Sequence, residues 1–318
     1  MLDQIFKTET FVNTDLQVII FLIFGILSFS SLLFFTIGKI KPSWNISELR
    51  ARTKSWWVMS SIFIIATMFS NTISFIAIAF LSFVAFRELY SILGFRDSDR
   101  YAILWAYFSI PVQYFLAYIG WYGAFIIFIP VIMFLLLPLR LVIKGDTRGI
   151  LKSMSSMHWI LMLTVFGISH MAYFLSLPQI PNFNNGGRGL LLFLVFLTEI
   201  NDVLQFTFGK LFGKHKIIPT VSPNKTWEGF FGGLISTTII GYFLGFLTPL
   251  STFEVLFASF IIAFAGFSGD IVISSIKRDI GVKDTSEAIP GHGGILDRID
   301  SLSFTAPAFF HFVYYLAY

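Results

Sequence analysis

Residues 101–143 read YAILWAYFSI PVQYFLAYIG WYGAFIIFIP VIMFLLLPLR LVI and carry one charged side chain, Arg140. A helix crosses the hydrocarbon layer of a bilayer in about 20 apolar residues, so this run is too long for one crossing. It makes two, broken at Gly120. Further apolar runs lie near 16–37, 56–90, 158–177, 188–209, 229–248, 253–275 and 299–318. Together they predict an all-α, polytopic membrane bundle of about ten spans. The run 56–90 reads as a hairpin turning at Ser70-Asn71-Thr72, with one long tilted helix as the alternative. Each hairpin arm would have only about 15 apolar residues, short of the usual ~17–25.

Composition agrees. Of 318 residues, 56% are hydrophobic and 13% charged, and 40 are Phe. Mean hydropathy is +0.79. A water-soluble fold of this length could not hide that much apolar surface, whereas lipid-facing helices can be apolar on every side. The absence of cysteine excludes disulfides and thiolate chemistry. Residues 1–15 are polar and lack a basic region followed by a small-residue cleavage site, so the first run is read as a retained helix. The net charge of +4 matters through its distribution among loops, and no nucleic-acid partner is expected.

That distribution sets the orientation. With ten spans, Lys39, Lys41, Arg50, Arg52 and Lys54 share a side with Arg87, Arg96, Arg100, Arg140, Lys144, Arg148 and Lys152. The later group from Lys210 to Arg298 joins them, and only Lys7 and Arg188 fall opposite. Loops rich in Lys and Arg stay cytoplasmic. The expectation is an integral protein of the cell's inner (plasma) membrane, with its polar loops in the cytoplasm, where they can also attract anionic lipids. Residues 1–187 read as spans with short basic loops. Residues 188–318 read as the catalytic part, because ten of the eighteen carboxylates lie between 199 and 300.

Three clusters carry chemistry. The first is Glu199-Ile-Asn-Asp202, inside an apolar run, where a carboxylate costs about 2.5–3.5 kcal/mol and needs a partner or a use. The second is Ser222-Pro-Asn224-Lys225-Thr226-Trp-Glu228-Gly229, just before an apolar helix. There Ser222, Thr226 and free N–H groups can cradle phosphate and Lys225 can add charge. Glu228 could cap the helix or hold a metal, and the bland reading of the whole stretch is an ordinary capped helix start. The third is Gly269-Asp270 with Ser274, Lys277 and Arg278, then Lys283-Asp284, Pro290-Gly-His292-Gly293-Gly294, and Asp297-Arg298-Ile-Asp300. Asp270, Ser274 and Lys277 share a helix face, as do Asp297 and Asp300. Asp270, Asp297 and Asp300, if they converge, suit Mg²⁺ or another hard divalent cation. Lys277, Arg278, Lys283 and Arg298 would neutralise polyphosphate, and the glycine-rich stretch lets backbone N–H groups approach an anion. His292 could donate to a phosphate oxygen. Alone, a Lys-Arg pair is a topology anchor and a Gly-Gly is a turn; all of them within about thirty residues are harder to dismiss.

The string Ser274-x-x-Lys277-Arg278, Lys283-Asp284, Pro290-Gly-His-Gly-Gly294, Asp297-Arg298-x-Asp300-Ser301 resembles the signature of phosphatidate cytidylyltransferases, also called CDP-diacylglycerol synthases. Ser222-Pro-x-Lys-Thr-Trp-Glu-Gly229 and Asn201-Asp202 resemble their upstream segments, so the likeness covers roughly 199–303. It implies transfer of a cytidylyl group from CTP to phosphatidate of the inner leaflet, giving CDP-diacylglycerol and pyrophosphate. It implies metal binding by Asp270, Asp297 and Asp300, and positions near phosphate for Lys225, Lys277, Arg278 and His292. Substrate contacts are expected from Asp202, Ser222, Asn224, Thr226, Glu228, Lys283, Asp284, Gly293, Gly294 and Arg298. Two departures stand out: Gln205-Phe206 where the family commonly has Ala-Tyr, and Asn224 where Lys is common. The alternatives are another CTP-dependent enzyme (a polyprenol kinase or an isoprenoid-lipid cytidylyltransferase) and an ion-coupled transporter using Asp202 and Asp270. Oligomeric state stays open, a homo-oligomer included.

Overall fold

Among the described residues, ten helices of 16 residues or more form where the apolar runs lie. The computed structural model describes residues 13–40, 47–286 and 293–318. The helices are α1 Thr14–Ile40, α2 Ser47–Met68, α3 Asn71–Ile92, α4 Arg100–Tyr118, α5 Tyr122–Val142, α6 Ile150–Ser176, α7 Gly186–Phe212, α8 Trp227–Phe243, α9 Thr252–Ile280 and α10 Leu302–Ala317. A single helical turn, Leu296–Ile299, precedes α10. Among the described residues there are no β-strands.

The two breaks read from the sequence are present. Ser70 ends the 56–90 ambiguity in favour of two helices: its hydroxyl accepts from the Ile73 N–H and caps α3. The arms are longer than their apolar cores, 22 residues each, because α2 starts at Ser47 among its basic residues. The run 101–143 divides between Tyr118 and Tyr122. Among the described residues, six helices are long and apolar enough to cross a membrane: α1, α3, α5, α6, α7 and α9. The other four fall short of that measure. α2 carries Arg50, Arg52 and Lys54 in its first turns, α4 is long enough at 19 residues but is made less apolar by Gln113 and four tyrosines, and α8 and α10 are only 17 and 16 residues long. The count of ten therefore holds for helices, and six of them qualify as spans by length and composition.

α6 is the central helix, 78% of its apolar window being buried, while α1 lies outermost at 11%. Around α6 the core is aromatic, with Phe125, Phe174, Phe193, Phe309 and Phe310 fully enclosed. The C-terminal helices α7, α8, α9 and α10 pack successively on one another. Lipid offers no hydrophobic drive between helices, so close backbone approach must supply the contact. The α7–α8 seam achieves it through glycine: a Cβ on Gly229 would meet the Gln205 carbonyl oxygen at 2.7 Å and the Gly209 Cα at 3.0 Å. Both obstacles are backbone and cannot swing away. Gly229→Val is expected to force the helices apart, costing about 1–3 kcal/mol and lowering the melting temperature in detergent. Gly25→Val, with nothing within 4 Å, should leave that temperature unchanged.

The basic loops do more than mark sidedness. Arg96 pairs with Asp99 at 2.6 Å, Ser153 donates to Asp99 at 2.6 Å, and Arg96 also donates to the carbonyls of Asp146 and Arg148. This ties the α3–α4 connection to the α5–α6 connection.

Candidate active site

The polar groups gather toward one end of the bundle. Asp202 and Asp270 lie ten residues before the ends of α7 and α9, roughly 15 Å along each helix. Lys225 precedes α8, and Asp297 and Asp300 precede α10.

The α9 face is as the heptad-like spacing predicts. Asp270 accepts from the Ser274 hydroxyl at 3.2 Å, and Lys277 is buried one turn further along. Two lysine–carboxylate pairs form on this face. Lys225 Nζ lies 2.6 Å from Asp270 Oδ2, and Lys277 Nζ lies 2.6 Å from Asp297 Oδ1. Lys225 also donates to Gln205 Oε1 at 3.0 Å. Burial alone would lower the Lys225 ammonium's pKa, but the Asp270 and Asp202 carboxylates outweigh it and hold the value above that of an ordinary lysine. Lys225 is therefore a permanent cation in this site.

The carboxylates group differently from the expected trio of Asp270, Asp297 and Asp300. Asp202, Asp270 and Asp300 act on one another electrostatically, and Glu199 joins them through Asp202 and Asp300, whereas Asp297 does not. Ser301 donates to Asp202 Oδ2 at 3.0 Å, while Asp202 Oδ1 is buried with no hydrogen-bond partner. Asp300 Oδ1 accepts from the Ser301 N–H at 2.8 Å. Asp297 is fully engaged elsewhere. Its Oδ1 takes the Lys277 ammonium, and its Oδ2 takes the N–H of Thr285 at 2.8 Å, the N–H of Gly294 at 2.9 Å and the Thr285 hydroxyl at 3.0 Å. Burial would push the Asp297 carboxyl up, but Lys277 and the two backbone donors hold it below the usual carboxylate range. As a metal ligand it would have to give up these bonds. Among the described residues no three His, Asp or Glu side chains stand close enough to form a ready-made cation cage. The orphaned Asp202 oxygen beside Asp270 and Asp300 is nonetheless the donor set a hard cation uses, since Mg²⁺ binds through one or two carboxylates and takes substrate phosphates and water for the rest.

The loop before α8 divides its labour. Thr226 is the N-cap, accepting from the Gly229 N–H at 3.1 Å. Glu228 turns back and accepts from the backbone N–H groups of Lys214 and His215 and from the His215 ring at 2.6 Å. It acts as a loop staple, away from the acidic group. Asn224 is exposed and Ser222 half-buried. Arg278 donates to the carbonyls of Val221 and Val282, fastening this loop to the end of α9. Lys283 and Asp284 are exposed. Arg298 contributes its charge to Glu199 and Asp202, and its Nε is buried without a partner. His292 lies outside the described residues.

The glycine-rich segment does approach anions, but they are the protein's own. Gly294 N–H reaches Asp297, and the N–H groups of Ile295 and Leu296 reach Glu88 of α3 at 3.0 and 2.8 Å. Glu88 was invisible to the sequence reading. Beside Arg87 near a helix end it looks like a surface charge, yet it is buried. The available signal was a carboxylate at the end of an otherwise apolar helix.

Comparison with known proteins follows the same lines. The chain matches the cytidylyltransferase family over residues 50–316. It is 41% identical over 278 residues to the uncharacterized protein YnbB of Escherichia coli (strain K12), covering 87% of this chain and 91% of that one. It is 42% identical over 123 residues to the phosphatidate cytidylyltransferase of Staphylococcus haemolyticus, covering 38% of this chain and 47% of that enzyme. The phosphatidate cytidylyltransferase of Mycobacterium leprae matches at 37% over 143 residues, 44% of this chain and 45% of the enzyme. The match thus spans about half the length of these two enzymes.

Proposed function

The chain belongs to the cytidylyltransferase family, a class of nucleotidyltransferases, and from that premise we propose that it transfers the cytidylyl group of CTP to phosphatidate in a membrane. The observation that carries this reading is the pair of lysine–carboxylate contacts, Lys225–Asp270 and Lys277–Asp297, on one face of α9, beside the orphaned carboxylate oxygen of Asp202.

The chemistry asks for little else. An oxygen of the lipid phosphate attacks the α-phosphorus of CTP. A new P–O bond forms, the bond from the α-phosphorus to its bridging oxygen breaks, and pyrophosphate leaves with that electron pair. The attacking oxygen is already anionic, so no protein nucleophile is needed. The barrier lies in bringing two polyanions together, and fixed positive charge in a partly dry site lowers it. Lys225 and Lys277 supply that charge from positions held by their carboxylates. A hard divalent cation, for which Asp202, Asp270 and Asp300 would be the holders, supplies further charge against the polyphosphate when bound. Arg298, half-buried, with an unpartnered Nε and acting electrostatically on Asp202, would meet an anion entering beside that carboxylate. The concentration of Lys and Arg at this end supports a cytoplasmic site, reached by CTP from water and by the lipid from the inner leaflet.

A second reading keeps the reaction and changes the lipid. The match to YnbB, whose activity is uncharacterized, covers 87% of this chain, whereas those to the two phosphatidate cytidylyltransferases cover 38% and 44% of it. Gln205, where the family commonly has alanine, contacts Lys225 and could shape a different acceptor.

Purified protein given CTP, Mg²⁺ and phosphatidate tests both. Label from the α-phosphate of CTP should enter the lipid, label from the γ-phosphate should leave as pyrophosphate, and chelation of the cation should stop both. Transfer to polyprenyl phosphate instead of phosphatidate selects the second reading. Entry of γ-label into lipid would defeat both by making the protein a kinase.

A further inference from the structure

The N-terminal helices are not passive spans, because one of them reaches into the site. Glu88 stands four residues before the end of α3 and is buried. Its two oxygens accept four hydrogen bonds. They come from the Thr285 hydroxyl at 3.1 Å, the Ser286 hydroxyl at 2.8 Å, the Ile295 N–H at 3.0 Å and the Leu296 N–H at 2.8 Å. All four donors belong to two stretches, Thr285–Ser286 and Ile295–Leu296, about 200 positions away in the chain. Two of Asp297's own donors, Thr285 and Gly294, lie within or next to these stretches. Thr285 touches both carboxylates, reaching Asp297 Oδ2 at 3.0 Å. A Cβ on Gly294 would come within 2.5 Å of Glu88 Oε2 and 2.9 Å of its carboxyl carbon. The glycine there is what the approach of Glu88 requires.

We propose that Glu88 is a positioning residue of the transfer site, fixing the Thr285–Ser286 and Gly294–Leu296 stretches against α3 so that Asp297 holds Lys277 in place. The proposal rests on the cytidylyl-transfer reading. A buried carboxylate is a costly acceptor where only loop packing is needed. A charged acceptor forms shorter, stronger bonds than a neutral one, and two oxygens can gather four donors at once. Its effect passes through a chain of direct contacts: Glu88 to Thr285 and Leu296, Thr285 and Gly294 to Asp297, Asp297 to Lys277. Lys277 in turn acts electrostatically on Asp270 and Asp300. Displacing the first member of this chain moves the last, and a misplacement of about 1 Å costs on the order of 100-fold in rate.

The test uses the full-length protein in detergent micelles or nanodiscs, comparing wild type with Glu88→Ala, Glu88→Gln and Glu88→Asp. Hydrogen exchange reports the anchor without reference to activity. In Glu88→Ala the amides of Ile295 and Leu296 should exchange at least tenfold faster, with exchange in α7 and α8 unchanged. Kinetics report the positioning. The kcat for cytidylyl transfer should fall about 30- to 100-fold with KM for CTP within about threefold, and Glu88→Asp should recover part of the loss. If the alanine variant has no cooperative melting transition, Glu88→Gln, which keeps the length and one acceptor oxygen, takes its place in both arms. Unchanged exchange at Ile295 and Leu296 overturns the proposal, as does normal kcat in a variant whose exchange has risen. A wild-type protein that transfers nothing to phosphatidate would defeat the functional reading alone, and the exchange comparison would still decide the anchor.

Discussion

Asp270→Asn is expected to reduce CTP-dependent labelling of lipid by about 1,000-fold or more while the protein still inserts and melts as a folded bundle. The substitution keeps the size and shape of the side chain, so the α9 packing has no reason to change. It removes the negative charge that pairs with Lys225 and acts electrostatically on Asp202 and Asp300. Lys225 Nζ now has Asp270 at 2.6 Å and Gln205 Oε1 at 3.0 Å. With asparagine it keeps a neutral acceptor on each side and loses the charge that aims it. The same exchange weakens whatever hard cation Asp202, Asp270 and Asp300 would hold, because an amide oxygen is a poorer ligand than a carboxylate. Removing one preorganised electrostatic contact typically costs about 100- to 1,000-fold in kcat, and here two are lost together. The measurement is incorporation of α-labelled CTP into lipid per mole of folded protein, across a titration of Mg²⁺. A variant within tenfold of wild type at saturating Mg²⁺ would remove Asp270 from the reaction and leave the site without its centre.

How much of this arrangement was legible depends on whether a contact is local or distant in sequence. Helix periodicity is local, so the α9 face of Asp270, Ser274 and Lys277 came directly from spacing; the break at Gly120 came from the length of its apolar run, and the break at Ser70 only from the distribution of loop charge, with one long helix as the alternative. Thr226 lay at a cap position, and it caps α8. Partner choice was not legible. Asp297 and Asp300 look alike in sequence, three residues apart on one turn, yet Asp297 faces Lys277 and the Thr285 N–H while Asp300 faces the Asp202–Asp270 group. A rotation of about 60° around the helix separates those environments, since three residues turn through about 300°. Which side meets a cation is decided by how α10 docks on α9. Glu88 shows the same limit at larger range, because nothing near position 88 records a loop two hundred residues later. Glu228 sits at the boundary of the two cases. A carboxylate in the first helical turn is a familiar capping signal, but its actual partners, Lys214 and His215, lie in a loop that had first to fold back.

Asp297→Ala is expected to be the most destabilising single change in the C-terminal half. Lys277 is buried, 6% exposed, and Asp297 is its sole ion-pair partner among the described residues. Alanine leaves that ammonium unpaired and also strips the acceptor from the N–H groups of Thr285 and Gly294. Removing one member of a buried pair costs about 3–5 kcal/mol, because the remaining charge must be buried without compensation. The effect should have a pH signature. The Asp297 carboxyl is held below its ordinary value in the folded protein, so its contribution is fully present above the unfolded pKa of about 4. It is lost as pH falls through the lower, folded value. The wild type should therefore lose stability on acidification below about pH 4 more steeply than Asp297→Ala, and the two should differ by a constant amount above pH 5. Denaturant or thermal unfolding in detergent at a series of pH values measures this. A second variant separates charge from packing. Lys277→Met combined with Asp297→Leu removes both charges and fills the space, so it should recover part of the stability lost in Asp297→Ala. Recovery is incomplete because the Thr285 and Gly294 N–H groups stay without an acceptor. The double variant should remain inactive in cytidylyl transfer, since neither the lysine nor the carboxylate that aims it is present. Equal melting temperatures for wild type and Asp297→Ala would mean that Lys277 reaches water or another carboxylate, and the buried pair would no longer account for either the stability of this end of the bundle or the placement of its second cation.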